Sequence, residues 1–293
     1  MTRSPSFGLF LATAAALLLS PDTLMMRLSG LDGFAMMAWR GGLSAPVLLS
    51  VWFITSGHRR RDLGFLFSGA GLAVAACQFV NAAVFSLSIS VAPVSVVLFG
   101  VATVPVCAAV FARILLGETA GAATWITIAA VLSGIAIAVF GDGGGAVGFD
   151  VATFLGALGG LVVAGALALT FVLLRAHGHL PILLTLGTGA ALSGASGLIL
   201  AGANGVTDGN LIPIAIAGLG ILPASFFMLS LASRFTDAAN VSLLLLLETA
   251  LGPLLVWAGT GEAVGGPAFL GGSVVIASLA IYLMHARRVT RRG

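Results

Sequence analysis

Apolar residues in this chain neither alternate with polar ones nor gather on one helical face. They run for about twenty positions, stop at a short polar cluster and resume. Runs of that length suit a bilayer core roughly 30 Å thick, crossed by an α-helix at about 1.5 Å per residue. The strands of a membrane barrel would alternate instead. Ten spans are predicted, at 7–27, 34–54, 63–83, 88–111, 122–140, 151–174, 182–202, 211–231, 237–257 and 268–285. Between them lie turn-forming clusters such as Gly57-His58-Arg59-Arg60-Arg61-Asp62, Gly141-Asp142-Gly143-Gly144-Gly145, His177-Gly178-His179-Leu180-Pro181 and Asn204 to Asn210. All are short, so no soluble domain is inserted.

Composition agrees with this pattern. With 59% hydrophobic and 8% charged residues among 293, and a mean hydropathy of +1.15, the chain has too few charges to cover a water-soluble domain. The expected class is an all-α membrane protein with ten transmembrane helices.

Charge supplies the orientation. Every basic residue is Arg. If the N-terminus is cytoplasmic, Arg3, Arg59, Arg60, Arg61, Arg113, Arg175, Arg234, Arg287, Arg288, Arg291 and Arg292 fall at cytoplasmic ends, and only Arg27 falls outside. That asymmetry is the positive-inside pattern, and an even number of spans returns the C-terminus to the cytoplasm. The expected location is the inner (cytoplasmic) membrane. The net charge of +3 then fits anionic lipid and calls for no nucleic acid. Arg3 followed by an apolar run also has the form of a secretory leader. The run continues through Pro21-Asp22 to Arg27 without a small-residue cleavage site, so it is read as a retained helix.

The chain repeats itself. Ala92-Pro93-Val94-Ser95 precedes Pro105 much as Ala239-Asn240-Val241-Ser242 precedes Pro253. Gly117-Glu118 precedes Ala136-Ile137 by the interval that separates Gly261-Glu262 from Ala280-Ile281. Span four thus matches span nine, and five matches ten. A five-helix unit must enter the membrane in opposite senses in its two copies, which predicts two inverted five-helix repeats, 1–141 and 146–293. Charge agrees: Arg113 follows span four and no Arg follows span nine, while Arg234 follows span eight and no Arg follows span three.

Ten spans in two repeats, Trp39-Arg40 in span two, the Ala92-Pro93-Val94-Ser95 to Leu116-Gly117-Glu118 stretch, and Glu248-Thr249-Ala250-Leu251-Gly252-Pro253 through Trp257 to Gly261-Glu262 resemble the EamA-type exporters of the drug/metabolite transporter superfamily. In style the chain is most similar to the YddG-type exporters of aromatic and other amino acids. The resemblance implies outward movement of small metabolites by alternating access through a central cavity. It also implies a chain that is not an enzyme and uses no cofactor. One departure is clear: Pro253 to Glu262 is four residues shorter than Pro105 to Glu118, about one helical turn.

Ionised groups within spans mark candidate sites, because each costs at least about 2.5–3.5 kcal/mol in hydrocarbon unless paired or facing a polar cavity. Counted along the helices, Asp22 and Arg40 lie roughly 8 and 9 Å below the outer surface and Glu248 near mid-membrane. Asp22 and Arg40 are therefore either a structural ion pair or receivers of the two ends of an amino acid. Glu248 is reached by Arg40, or is a neutral acid packed in the core, or is a proton-coupled or substrate-sensing carboxyl. Gln78 and Asn81 share a face of span three and serve as interhelical glue or as ligand contacts. Trp39 and Trp257 stack on an aromatic substrate or belong to the interfacial belt. Pro105 and Pro253 are hinge candidates, since proline removes a helix hydrogen bond.

Several motifs mislead. Gly194-Ala195-Ser196-Gly197 has the form of an intramembrane serine protease, yet His58, His177, His179 and His285 all map to cytoplasmic edges, away from the serine. Cys77 and Cys107 are read as packing residues. No metal-ligand spacing and no nucleotide-binding loop occurs. The expected function is export of amino acids by a monomer, with protons as a candidate coupling ion. A multidrug or nucleotide-related carrier, a membrane scaffold and a lipid flippase are the alternatives.

Overall fold

The structure, a computed structural model, describes residues 5–92, 94–118, 121–140, 151–261 and isolated positions at 270, 273–274, 277–278, 280–281 and 284. Most of the predicted tenth span, the Gly141–Gly145 linker, Pro93, Glu262, His285 and the terminal arginines lie outside the described residues.

The described chain is helical throughout. Its elements are α1 (Pro5–Leu19), α2 (Asp22–Ser29), α3 (Gly33–Thr55), α4 (Arg59–Leu66), α5 (Gly69–Val91), α6 (Val94–Val101), α7 (Val104–Leu116), α8 (Ala122–Phe140) and α9 (Val151–Ala176). There follow α10 (Ile182–Gly205), α11 (Leu211–Ile216), a π-helical turn (Ala217–Ile221), α12 (Leu222–Ala232) and α13 (Ala238–Thr260). Among the described residues, seven segments are long and apolar enough to cross a membrane: Ser6–Ser29, Gly33–Thr55, Gly69–Val91, Phe154–Ala176, Ile182–Gly202, Leu211–Ala232 and Ala238–Thr260. Val104–Leu116 and Ala122–Gly134 are shorter apolar helices. The chain is a multi-pass membrane protein.

Local chemistry explains where the predicted spans shift. The first span breaks at Ser20-Pro21, and α2 restarts with Asp22 in its first turn, where a carboxylate suits the positive end of the helix dipole. The third span begins at Gly69, not 63. Ser68 caps α5 by accepting from the Gly71 amide at 3.1 Å. Residues 59–66 instead form a separate short helix, tethered where Asp62 accepts from the Trp52 indole (2.9 Å) and the Ser56 hydroxyl (2.6 Å). The fourth span is interrupted at Ala102-Thr103, just before Pro105 at the start of α7, which cannot donate a backbone hydrogen bond. In the eighth, a π-helical turn precedes Pro223.

Glycines set the closest helix contacts. A Cβ on Gly194 of α10 would lie 2.4 Å from the Gly42 amide nitrogen of α3, and one on Gly197 would lie 2.4 Å from that of Ala38. Gly100 and Gly160 bring α6 equally near α9. In a bilayer, where lipid is as apolar as the helices, such close backbone approach drives association. Around the α3–α10 seam, α5 packs on α9 and α10, α1 on α12 and α13, and α7 on α9 and α13.

The loops sort to two ends. At one, Phe7 meets Phe235 (5.4 Å between ring centroids) and Phe65 meets His179 (4.7 Å). There too Arg175 bridges Glu118 and Asp237, with both N···O distances 2.9 Å. Arg234 donates to the Leu180 carbonyl, and burial lowers its guanidinium pKa from the ordinary value. At the other end the Asn210 amide donates to the Ser29 carbonyl at 2.8 Å, and the Trp39 indole donates to Val206 at 2.7 Å.

Candidate functional site

The break after Ser20 and the register of α3 bring Asp22 and Arg40 face to face. Arg40 Nη1 donates to Asp22 Oδ2 at 2.7 Å, with 6% and 1% of the two side chains exposed. The Arg40 guanidinium also lies 5.5 Å from the centre of the Phe85 ring. The pair is incompletely satisfied: Asp22 Oδ1, Arg40 Nε and the neighbouring Thr23 hydroxyl are buried without a hydrogen-bond partner. Buried polar atoms left in this state are costly unless something else occupies the site.

The space beside the pair is a small cavity of about 30 Å3, walled by Asp22, Arg40, Asn81, Phe85, Phe226 and Glu248 together with aliphatic residues of α1, α6, α9 and α13. A second cavity of about 20 Å3 adjoins it through Arg40, Asn81 and Phe226, and adds Ser44 and Gln78. Gln78 and Asn81, three residues apart on α5, are both buried, at 6% exposure. Glu248 is buried at 7% exposure, and no described residue forms a hydrogen bond or ion pair with it. Ser44 is held aside by its hydrogen bond to the Gly218 carbonyl, 2.9 Å.

Five of the residues singled out in the sequence therefore meet: Asp22, Arg40, Gln78, Asn81 and Glu248. Others go elsewhere. Trp39 ties α3 to the loop after α10, and Trp257 is 52% exposed on the outside of the bundle. Neither lines either of these two cavities. Pro105 is buried at the start of α7 beside the interruption, whereas Pro253 sits in the continuous α13, so the two prolines do not share a local geometry. Asn240 donates to the Thr236 hydroxyl at 3.2 Å. Cys77 and Cys107 are free thiols, and no metal-binding cluster occurs among the described residues.

Phe226 was not legible in the sequence. It touches both cavities but is one of 18 phenylalanines, and the π-helical turn upstream that sets its facing has no sequence signature.

Comparison with known proteins bears on the fold and on the first half of the chain. Residues 6–140 match the EamA-like transporter family. A crystal structure of another protein superposes with a TM-score of 0.74 over 98% of this chain and 98% of its own, at 18% sequence identity. That identity carries likeness of fold alone. No curated protein sequence matches the chain.

Proposed function

We propose that the chain is a carrier of small metabolites of the drug/metabolite superfamily, exporting amino acids by alternating access through the cavity beside Asp22, Arg40 and Glu248. The observation that carries this reading is the cavity itself. An ion pair with unsatisfied atoms and a partnerless carboxyl line a space within a bundle of membrane-spanning helices. Such groups inside a membrane mark substrate or ion pathways, and a scaffold has no use for them. The match of residues 6–140 to a transporter family supports the same reading. The resemblance of the sequence to YddG-type exporters supports the choice of amino acids and the outward direction.

Helix packing supports two inverted repeats, 1–141 and 146–293. Exchanging each helix with the one five spans away carries the α1–α12 contact onto α5–α9. It carries α1–α13 onto the contacts of α6 and α7 with α9, and α5–α10 onto those of α3 with α11 and α12. The pairs α3–α10 and α7–α13 map onto themselves. A cytoplasmic N-terminus is supported by the bundle ends: the Arg59–Arg61 helix, Arg113, Arg175 and Arg234 gather at one end, and Arg27 lies toward the other.

Uptake of a labelled amino-acid panel into proteoliposomes, with and without a pH gradient, tests the reading. Accumulation or exchange above empty liposomes is expected, and flux of no panel member overturns it. If protons are coupled, Glu248→Gln still exchanges substrate for substrate but no longer responds to the gradient.

A further inference from the structure

The two cavities beside the ion pair, about 30 and 20 Å3, have room for roughly two waters and one. Neither admits an amino acid while they stay apart. Three side chains are common to their walls: Arg40, Asn81 and Phe226. Arg40 is fixed by Asp22 at 2.7 Å, and Asn81 ends in a polar amide. Phe226 is the apolar member, and displacing it breaks no hydrogen bond. It packs against two apolar clusters, one containing Leu167 and Leu245 of the first cavity, the other Leu48 of the second. The π-helical turn at Ala217–Ile221 holds one residue more than an α-helical turn, which rotates the face of everything after it by about 100°. Ser44 seats that turn on α3, donating to the Gly218 carbonyl at 2.9 Å.

We propose that Phe226 is the partition that sets how large an amino-acid side chain the carrier accepts: cargo displaces the ring, joins the two cavities and lodges its side chain where the ring stood. The inference rests on the transport reading and adds a specificity-determining residue to it. The head of the cargo belongs beside the pair, where Asp22 Oδ1 lacks a donor and Arg40 Nε lacks an acceptor. An ammonium and a carboxylate meet those two needs. A zwitterion brings no net charge, so this placement holds whether or not Glu248 carries its proton. The side chain then meets a mostly apolar wall, with Phe85, Val101 and Leu245 on one side and Leu48 and Leu222 beside the Gln78 amide on the other.

Alanine, valine, leucine, phenylalanine and tryptophan share one head and grow in side chain. Binding of each to the purified full-length protein, with flux in proteoliposomes, is measured for the wild type and for Phe226→Ala, Phe226→Leu and Phe226→Trp. One methylene in an apolar pocket changes discrimination by about tenfold or more. Phe226→Ala is therefore expected to raise the affinity for tryptophan relative to alanine at least about tenfold over the wild type. Phe226→Trp should move the ratio the other way, and Phe226→Leu should fall between the wild type and Phe226→Ala. Phe227→Ala removes a neighbouring ring that lines neither cavity and should leave the ratio unchanged. A ratio that stays fixed across the variants at position 226, or that shifts as much in Phe227→Ala, overturns the inference while leaving the carrier. Binding of no member to the wild type also overturns it, and flux of the wider amino-acid panel then decides separately whether the chain transports. Should Phe226→Ala fail to fold, Phe226→Leu and Phe226→Trp decide.

Discussion

Neutralising Asp22 and Arg40 one at a time should have unequal effects. The two side chains are 1% and 6% exposed and bonded at 2.7 Å, and removing one partner of such a pair strands a buried charge, at about 3–5 kcal/mol. Glu248 breaks the symmetry. In Asp22→Asn the orphaned guanidinium shares its cavity with the buried Glu248 carboxyl, which can give up its proton and become the new counter-charge, so the loss falls at the low end, about 3 kcal/mol. In Arg40→Gln two carboxylates are left in one cavity without a cation, and the loss reaches the high end, about 5 kcal/mol. The double variant removes both charges of the pair and should recover all but about 1 kcal/mol, against about 8 kcal/mol if the two single losses simply added, so the pair is strongly coupled. Thermal unfolding of the purified protein, followed by tryptophan fluorescence, resolves these steps at about 2 °C per kcal/mol for a chain of this size. Equal losses in the two single variants would refute the role given to Glu248, and no loss in either would refute the buried pair. Transport by the double variant then separates two uses of the pair: flux intact means that it only locks α2 to α3, and flux lost in a stable protein means that it holds cargo.

Gly194→Val should destabilise by about 1–3 kcal/mol, because its Cβ would meet α3 backbone at 2.4 Å, whereas Ser196→Ala should stay within about 0.5 kcal/mol; the same unfolding assay decides, and the reverse order would revive a chemical role for the serine. Arg175→Ala unties Glu118 from Asp237 and should speed maleimide labelling, from the cytoplasmic side, of a cysteine placed by Leu167→Cys in a background lacking Cys77 and Cys107. An unchanged rate would mean that this bridge closes nothing. Reporter fusions after Arg61, Arg113, Arg175 and Arg234 should read cytoplasmic, and those within Gly141–Gly145 and Asn204–Asn210 external. A cytoplasmic linker would remove the inverted repeat.

Much of the architecture could be read from twenty-residue apolar runs, because a bilayer imposes length and composition directly on each helix. Asp22, Arg40 and Glu248 stood out for the same reason: charge inside such a run is rare enough to be a signal. What failed to show was local backbone. The interruption at Ala102-Thr103, the π-helical turn at Ala217–Ile221 and the detached helix Arg59–Leu66 depend on caps and side-chain bonds that leave hydropathy unchanged. Aromatic residues were legible only as alternatives, stacking on substrate or an interfacial belt. Trp39 and Trp257 attract attention because the chain has only four tryptophans, yet the cavity takes its rings from Phe85 and Phe226, which are lost among many. The Gly194 to Gly197 stretch drew notice as a possible catalytic motif, whereas its glycines serve the contact with α3.

The α3–α10 seam has a mechanical consequence. Where two backbones touch, no layer of side chains lies between them that could change rotamer and let the helices slide, so their spacing is fixed by covalent dimensions. The other self-matching contact, α7 with α13, belongs to a region cushioned by Ala102, Val106, Leu243 and Leu246, a layer that can repack. In the proposed carrier the first contact would act as an axle and the second as a clutch. A covalent bolt across α3 and α10 would leave it turning, while the same bolt across α7 and α13 would seize it.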